Sequence, residues 1–443
     1  MEEMNGDRPA LHVAVIGGGI IGACTALELA GRGHRVTLVE PGTPGGPQSA
    51  SYGNGAFLSP ASVIPMSFPG IWRKVPGFLL DRDGPLSIAP RALPRLAPWL
   101  LRFLLAGATQ DRFRRTAGAI HALIHDAPAR HLALAARIGR PDLVSQDGLL
   151  YAFPDRAAFA AEAMSWDLRR ELGLHWEEVE GEALRALEPG LSPRYRFGVL
   201  LGAGAQCHDP GAYVAAIVAQ AGTLGARRLA AEATGFALSG GRLAAVETTA
   251  GPLACDRAVI AAGIRSAALA RRLGETVPLE SERGYHVEIE APSLRLARPV
   301  MPSDGKMANT MVAGRFRASG QVELSSTAAP PNWHRAEVLL RHLARTYPGL
   351  EIPAAGIRRW QGHRPSTPDG LPVIAAARRV EGVVHAFGHG HIGLNAAPAT
   401  AEMAADLAEG RPPRIDPAPY RAARFRPWRP VSLAPPEAAD DRR

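Results

Sequence analysis

Residues 11–22 read Leu11-His12-Val13-Ala14-Val15-Ile16-Gly17-Gly18-Gly19-Ile20-Ile21-Gly22, and the fold is decided there. The first six, rich in β-branched side chains, predict a short buried strand. Gly17, Gly19 and Gly22 then satisfy G-x-G-x-x-G, with Ile20 and Ile21 between the last two. An apolar-periodic helix from Cys24 to Arg32 follows, then a second strand from Arg35 to Val39 that runs into Glu40 and Pro41. In this order the first two glycines let backbone N–H groups approach a pyrophosphate at a helix N-terminus. The third permits close helix–strand packing. Glu40 comes 23 residues after Gly17, where a carboxylate accepts hydrogen bonds from ribose hydroxyls and repels a 2′-phosphate. The alternative is a glycine-rich turn without a ligand. At this point FAD and NAD are both admissible.

The whole chain is consistent with an enzyme built around this unit. It has 443 residues, 46% hydrophobic and 21% charged, which suits two or three globular domains and excludes disorder, collagen and coiled coil. Three separated cysteines (Cys24, Cys207, Cys255) argue against a disulfide scaffold or a zinc ribbon and for a reducing compartment. The net charge is +8, and all but two of the 50 basic side chains are arginine, spread along the chain. That pattern resembles genomic base composition more than a nucleic-acid surface, and no nucleic-acid partner is expected. No secretory signal is visible. The most hydrophobic stretch, Leu96 to Ala108, is broken by Pro98 and Arg102 and falls short of the roughly 18 apolar residues of a spanning helix. A cytoplasmic protein is expected, soluble or peripheral on the inner face of the cell membrane.

Outward from the first unit, Gly42 to Ser59 is a polar, glycine-rich loop. Ile71 to Arg115 reads as short helices, and Ala117 to Arg140, Asp155 to Leu172 and Tyr213 to Leu224 as longer ones. Ala226 to Ala250 alternates like two strands around Gly240-Gly241. Tyr285 to Glu290 and Val322 to Ser326 alternate as half-buried antiparallel strands do. Near the carboxyl end, Gly362 to Pro372 sets Arg364 among turn formers. His385 to Asn395 then makes a second strand, glycine turn and helix N-terminus, an electropositive cradle. The i, i+2 spacing of His389 and His391 suits a shared metal ion poorly, and no carboxylate or cysteine joins them, so no metal is expected.

Five motifs in order carry a family resemblance: VAVIGGGIIGACTALELAGRGHRVTLVEP, SASYGNGAFLSP, PLESERGYHVEI, GHRPSTPDGLPVI and FGHGHIGLNAAPAT. Together they resemble the FAD-dependent D-amino-acid oxidoreductase (DAO) family from about Leu11 to Glu409. The likeness is strongest to bacterial D-amino-acid dehydrogenases and more distant to glycine and sarcosine oxidases. The resemblance implies an α/β fold, α+β overall, with a Rossmann-like FAD-binding domain of glutathione-reductase type and an interleaved mixed-sheet substrate domain. FAD-binding segments are expected at 11–65, 190–275 and 356–420. Substrate-binding segments are expected at 66–189 and 276–355, and an Arg/Pro-rich tail at 421–443.

The resemblance also selects FAD over NAD, held noncovalently. By position it implies that Gly17, Gly19, Ile20, Ile21, Gly22, Glu40 and Pro41 hold the ADP half. Ser49, Ala50, Asn54, Gly55 and Ala56 would line the flavin. Ala233 would meet the adenine, and Ala262 with Gly263 the pyrophosphate. His389, Gly390, Ile392, Gly393, Leu394 and Asn395 would surround the pyrimidine edge. Arg364 matches an arginine that binds the substrate carboxylate in the glycine-oxidase branch, where a planar fork gives bidentate recognition. A turn arginine paired with Asp369 is its alternative. His391 stands where that branch carries a second substrate-contacting arginine, and Tyr285 is a substrate-carboxylate or wall contact, with packing in the strand as its alternative.

The implied reaction is oxidative deamination of a small D-amino acid, with hydride passing from Cα to flavin N5. Electrons would go to a quinone, or to an artificial dye in an assay, with oxygen the less favoured acceptor. Ile71 to Arg115 could dock on a bilayer or simply form part of the substrate domain. The alternatives are a secondary-amine enzyme for D-proline, hydroxy-D-proline or N-methyl amino acids, with oxygen as acceptor, and a non-catalytic flavoprotein subunit.

Overall fold

The structure, a computed structural model, describes residues 9–425 apart from 74, 76 and 78–80. Part of the Ile71 to Arg115 stretch and most of the expected tail therefore lie outside the described residues. The opening apolar run forms the strand His12–Ile16, buried throughout. It lies between the parallel strands Arg35–Val39 and Arg257–Ile260. Arg227–Leu229 and Val383–Phe387 extend this sheet in parallel, and Val373–Ala376 closes one edge antiparallel, giving six strands. Burial on both faces accounts for the unbroken apolar runs of the central strands. The helices Ile20–Gly31 and Gly393–Ala408 pack in one core. Ala397, Ala401, Ala404 and Ala408 supply the small-residue stripe that brings the second helix close.

A second sheet has nine strands. Its order is Ile357–Ser366, Glu280–Ile289, Arg315–Leu324, Ala308–Val312, Val300–Pro302, Leu149–Phe153, Phe197–Leu201 and Glu177–Glu180, with Leu86–Ile88 parallel to Arg315–Leu324. The helix His334–Thr346 covers one face, where Leu339 and Leu343 share a core with Val287, Ile289 and Phe316. The sheets divide the chain differently from the sequence reading at two places. Phe197–Leu201 and Ile357–Ser366, expected with the FAD-binding segments, are hydrogen-bonded into the nine-stranded sheet. Leu86–Ile88 is a strand where only short helices were expected, because its backbone is templated by Val322–Leu324 rather than by its own sequence.

One buried ion pair ties the second sheet to the loop expected to line the flavin. Arg317 and Glu288 are each 1% exposed and meet at 2.5 Å. Arg317 Nη1 also donates to the carbonyls of Tyr52 (3.0 Å) and Asn54 (2.8 Å). Charge this deeply buried is tolerated because every part of it is paired. No helix among the described residues is long and apolar enough to cross a membrane.

Candidate active site

The central parallel strands end side by side at Gly17, Glu40, Ala261 and Gly388, the carboxyl edge at which such sheets bind ligands. These ends open onto a cavity of about 2000 Å³. Single small-molecule sites reach roughly 1,000 Å³, so this one has room for a dinucleotide and a small substrate together. Gly17, Gly19, Ile20, Ile21, Glu40 and Pro41 line it, as do Ser49, Ala50, Asn54 and Gly55. Ala233, Ala262, Gly263 and residues 389–395 complete that part of the wall.

Backbone groups hold the nucleotide end in shape. Glu40 accepts hydrogen bonds from the N–H groups of Gly18 (2.7 Å) and Gly42 (2.9 Å), which fix its carboxylate beside the glycine turn. Ser51 Oγ accepts from Ile20 N–H at 3.0 Å, so it caps the first helix from a distant loop. Sequence reading missed Ser51, although the Ser-Ala-Ser spelling at 49–51 is a cue.

Two of the expected cofactor residues do not line the cavity. A Cβ on Gly22 would overlap the carbonyl oxygen of Gly17, so this glycine serves helix–strand packing. Ala56 is fully buried in a turn with φ +63°, its N–H held by Asn54 Oδ1 at 2.8 Å.

The second glycine turn is similarly anchored. His389 Nε2 lies 3.0 Å from Thr400 Oγ1, and burial pushes its pKa down to about 3, so the ring is neutral. His131, likewise pushed down by burial to about 4, sits 2.8 Å from the carbonyl of Leu394 and 3.0 Å from the hydroxyl of Tyr213. It fixes the first turn of the Gly393–Ala408 helix. Asn395 Oδ1 accepts from Ser59 N–H at 2.8 Å, joining that turn to the 49–59 loop.

Arg364 lies on the strand Ile357–Ser366 and faces the same cavity. Its Nη1 donates to the carbonyl of Gln321 at 3.1 Å. That carbonyl is available because Gln321 has φ +61° and the pairing of Arg315–Leu324 with Glu280–Ile289 is irregular there. Two residues on one strand oppose one on the other, which is a β-bulge beside the site. The guanidinium lies against Gly284, where a Cβ would sit 2.5 Å from both terminal nitrogens. Asp369, weighed as its ion-pair partner, instead binds Arg424 at 2.7 Å. Burial pushes the Arg364 guanidinium below its ordinary value, and nearby Glu282 opposes that.

Glu282, absent from the sequence reading, faces the cavity directly opposite Arg364 in the strand register. It is 6% exposed, and its Oε2 lies 2.6 Å from His391 Nε2. Burial alone would raise this carboxyl, but His391 and Arg364 outweigh it and hold Glu282 below the usual range. His391 therefore lines the cavity paired with a carboxylate. His389 and His391 have separate partners.

Tyr285 does not line the cavity. Side chains alternate along Glu280–Ile289, so Glu282 and Gly284 face the cavity while Tyr285 faces the core beneath. Its hydroxyl donates to Glu323 and accepts from Asn332 N–H at 3.1 Å.

A carboxylate fixed at a glycine turn, a second helix N-terminus and one continuous cavity together fit a flavin dinucleotide. The family model described as "FAD dependent oxidoreductase", DAO, matches residues 12–407. A protein of Bradyrhizobium diazoefficiens named D-amino-acid oxidase is 48% identical over 94% of this chain and 99% of its own. One of Ralstonia nicotianae named D-amino acid dehydrogenase 2 is 32% identical over 94% of this chain and 100% of its own. The structure of glycine oxidase from Geobacillus kaustophilus shares the fold, with a TM-score of 0.72 and 23% identity over 94% of this chain and all of that one. With the family model spanning nearly the whole fold, the chain belongs to the DAO family of FAD-dependent oxidoreductases.

Proposed function

We propose that the protein oxidises a D-amino acid at its Cα–N bond, giving an imino acid that hydrolyses to a 2-oxo acid and ammonia. The observation that carries this reading is Arg364, a cavity-facing guanidinium with no ion-pair partner among the described residues. Bound FAD supplies the two-electron acceptor for the hydride leaving Cα. Arg364 clamps the substrate carboxylate bidentately and so decides which face of Cα is presented. Gln321 holds the clamp from behind, and Gly284 leaves room for it. The bulk of the glycine turn, Glu40, the 49–55 loop and residues 389–395 hold the cofactor, without a covalent bond. The D configuration is taken from the names of the relatives at 48% and 32% identity.

Two acceptors rest on different observations. The 48% relative is named an oxidase, which favours oxygen. Trp72 (61% exposed), Leu101 (59%) and Leu105 (49%) are large apolar side chains left in solvent, which favours an acceptor reached at a membrane, such as a quinone. The deciding experiment is anaerobic addition of D- and L-amino acids, D-proline, glycine and sarcosine to the flavoprotein, followed by air. Bleaching of the band near about 450 nm by a D-amino acid supports the reading, and fast recovery in air assigns oxygen. Arg364→Leu should cut kcat/KM by about two orders of magnitude through loss of a charge-assisted pair. A variant within threefold of the parent refutes the assignment.

A further inference from the structure

We propose that Glu282 is the residue that recognises the substrate's amino group, with His391 as the side chain that positions it. The inference rests on amino-acid oxidation as the reaction and adds a specificity residue to it.

Glu282 and Arg364 are directly paired across two antiparallel strands, and both face the cavity. Directly opposed residues of such a pair have Cβ atoms roughly 5 Å apart on one face. A carboxylate and a guanidinium that rise from opposed positions on one face can meet the ammonium and the carboxylate of one α-amino acid. No direct ion pair joins the two among the described residues: Arg364 is turned to the carbonyl of Gln321, and Glu282 is held through Oε2 by His391.

The other charged neighbours are accounted for. Glu280, two residues back on the same strand, pairs with Arg95. His391 from the 388–395 loop and Arg364 from the adjoining strand are the charged groups that act on Glu282. Together they keep it ionised at neutral pH despite its burial. A buried carboxylate in this state accepts a charged N–H donor and penalises a ligand that cannot supply one. The site thereby discriminates an amino acid from a 2-hydroxy acid of the same shape.

This arrangement has a kinetic signature. Hydride leaves Cα readily when the nitrogen lone pair is free, whereas an ionised Glu282 favours the bound ammonium. The rate of flavin reduction should therefore rise with pH, and removing the charge of Glu282 should bring that rise to lower pH.

The test uses the FAD-loaded enzyme and its Glu282→Gln variant, in which the amide oxygen still accepts from His391. Two ligands are compared by flavin band perturbation and anaerobic reduction: the best D-amino acid and an amine-free carboxylate such as benzoate. In Glu282→Gln the amino acid should bind about 10- to 100-fold more weakly. Benzoate should bind as well as in the parent or better, and the reduction profile should move to lower pH. His391→Asn should change both readouts in the same direction by less. Equal weakening of both ligands, or an unmoved pH profile, would mean that the pair merely clamps the loop to the sheet and would overturn the proposal. A parent enzyme bleached by no amino acid would overturn amino-acid oxidation itself, and this role with it.

Discussion

Gly284 is the most exacting position around Arg364, and Gly284→Ala isolates it. The added Cβ would lie 2.5 Å from both terminal nitrogens of Arg364. Ordinary contact needs about 3.5 Å, so the guanidinium must retreat by about 1 Å. The obstructed atoms are the end of a side chain, and the backbone at 284 is not in the left-handed region. The strand itself should therefore gain, by roughly 0.5–1 kcal/mol, from replacing glycine with alanine. Positioning is far less forgiving, since a displacement of this size can cost about 10²-fold, or about 2.7 kcal/mol of transition-state stabilisation. The expected variant keeps its FAD and its Tm, binds benzoate more weakly and loses 10- to 100-fold in kcat/KM for the best D-amino acid. Stopped-flow anaerobic reduction, with flavin content from the visible spectrum, reads all of this. Unchanged benzoate affinity with unchanged kcat/KM would refute the placement of the substrate carboxylate on Arg364.

Gly22→Ala should act on the cofactor instead. Its Cβ would meet the carbonyl of Gly17, a backbone atom that cannot step aside, so the turn must open and FAD affinity should fall at least tenfold by flavin fluorescence titration. Retention of stoichiometric FAD through gel filtration would contradict this. Burial pushes the Glu188 carboxyl up to about 7, against the pull of Ala297 N–H and Arg298. The native state then holds its proton more tightly than the unfolded chain, so stability falls as pH rises from about 4.5 to about 7, by about 3 kcal/mol in all. Glu188→Gln should therefore raise Tm at pH 8 and leave it nearly unchanged at pH 4.5, and a lower Tm at pH 8 would refute the reasoning.

The nucleotide half of the site was legible because its information is local. Turn, helix and acid fall within thirty residues of one another, and each is demanded by backbone geometry. Arg364 stood out through its motif, and it lines the cavity. What escaped was phase and pairing. Alternation in Glu280–Ile289 has a period of two, but the sequence does not say which set faces the ligand, so it leaves Tyr285 open between ligand contact and packing and gives no sign of Glu282. Glu282 gains its meaning from a strand some eighty residues away and from His391 beyond it. The bulge at Gln321 and the three-residue strand Leu86–Ile88 are likewise imposed by neighbours, and no composition cue announces either.

The order of strands in the six-stranded sheet also has a consequence for how the protein is made. His12–Ile16 is flanked by Arg257–Ile260, which in turn needs Val383–Phe387 at its other side. The glycine turn at 17–22 and the turn at 388–395 belong to one cavity, yet about 370 residues separate them. At roughly 5–20 residues per second of translation, the amino-terminal turn waits about 20–75 s for its counterpart to leave the ribosome. Cofactor capture is thus a late event in biosynthesis, and a ribosome stalled before residue 383 carries a nascent chain with no complete flavin site. Until then its apolar strands depend on whatever shelters nascent chains in the cell.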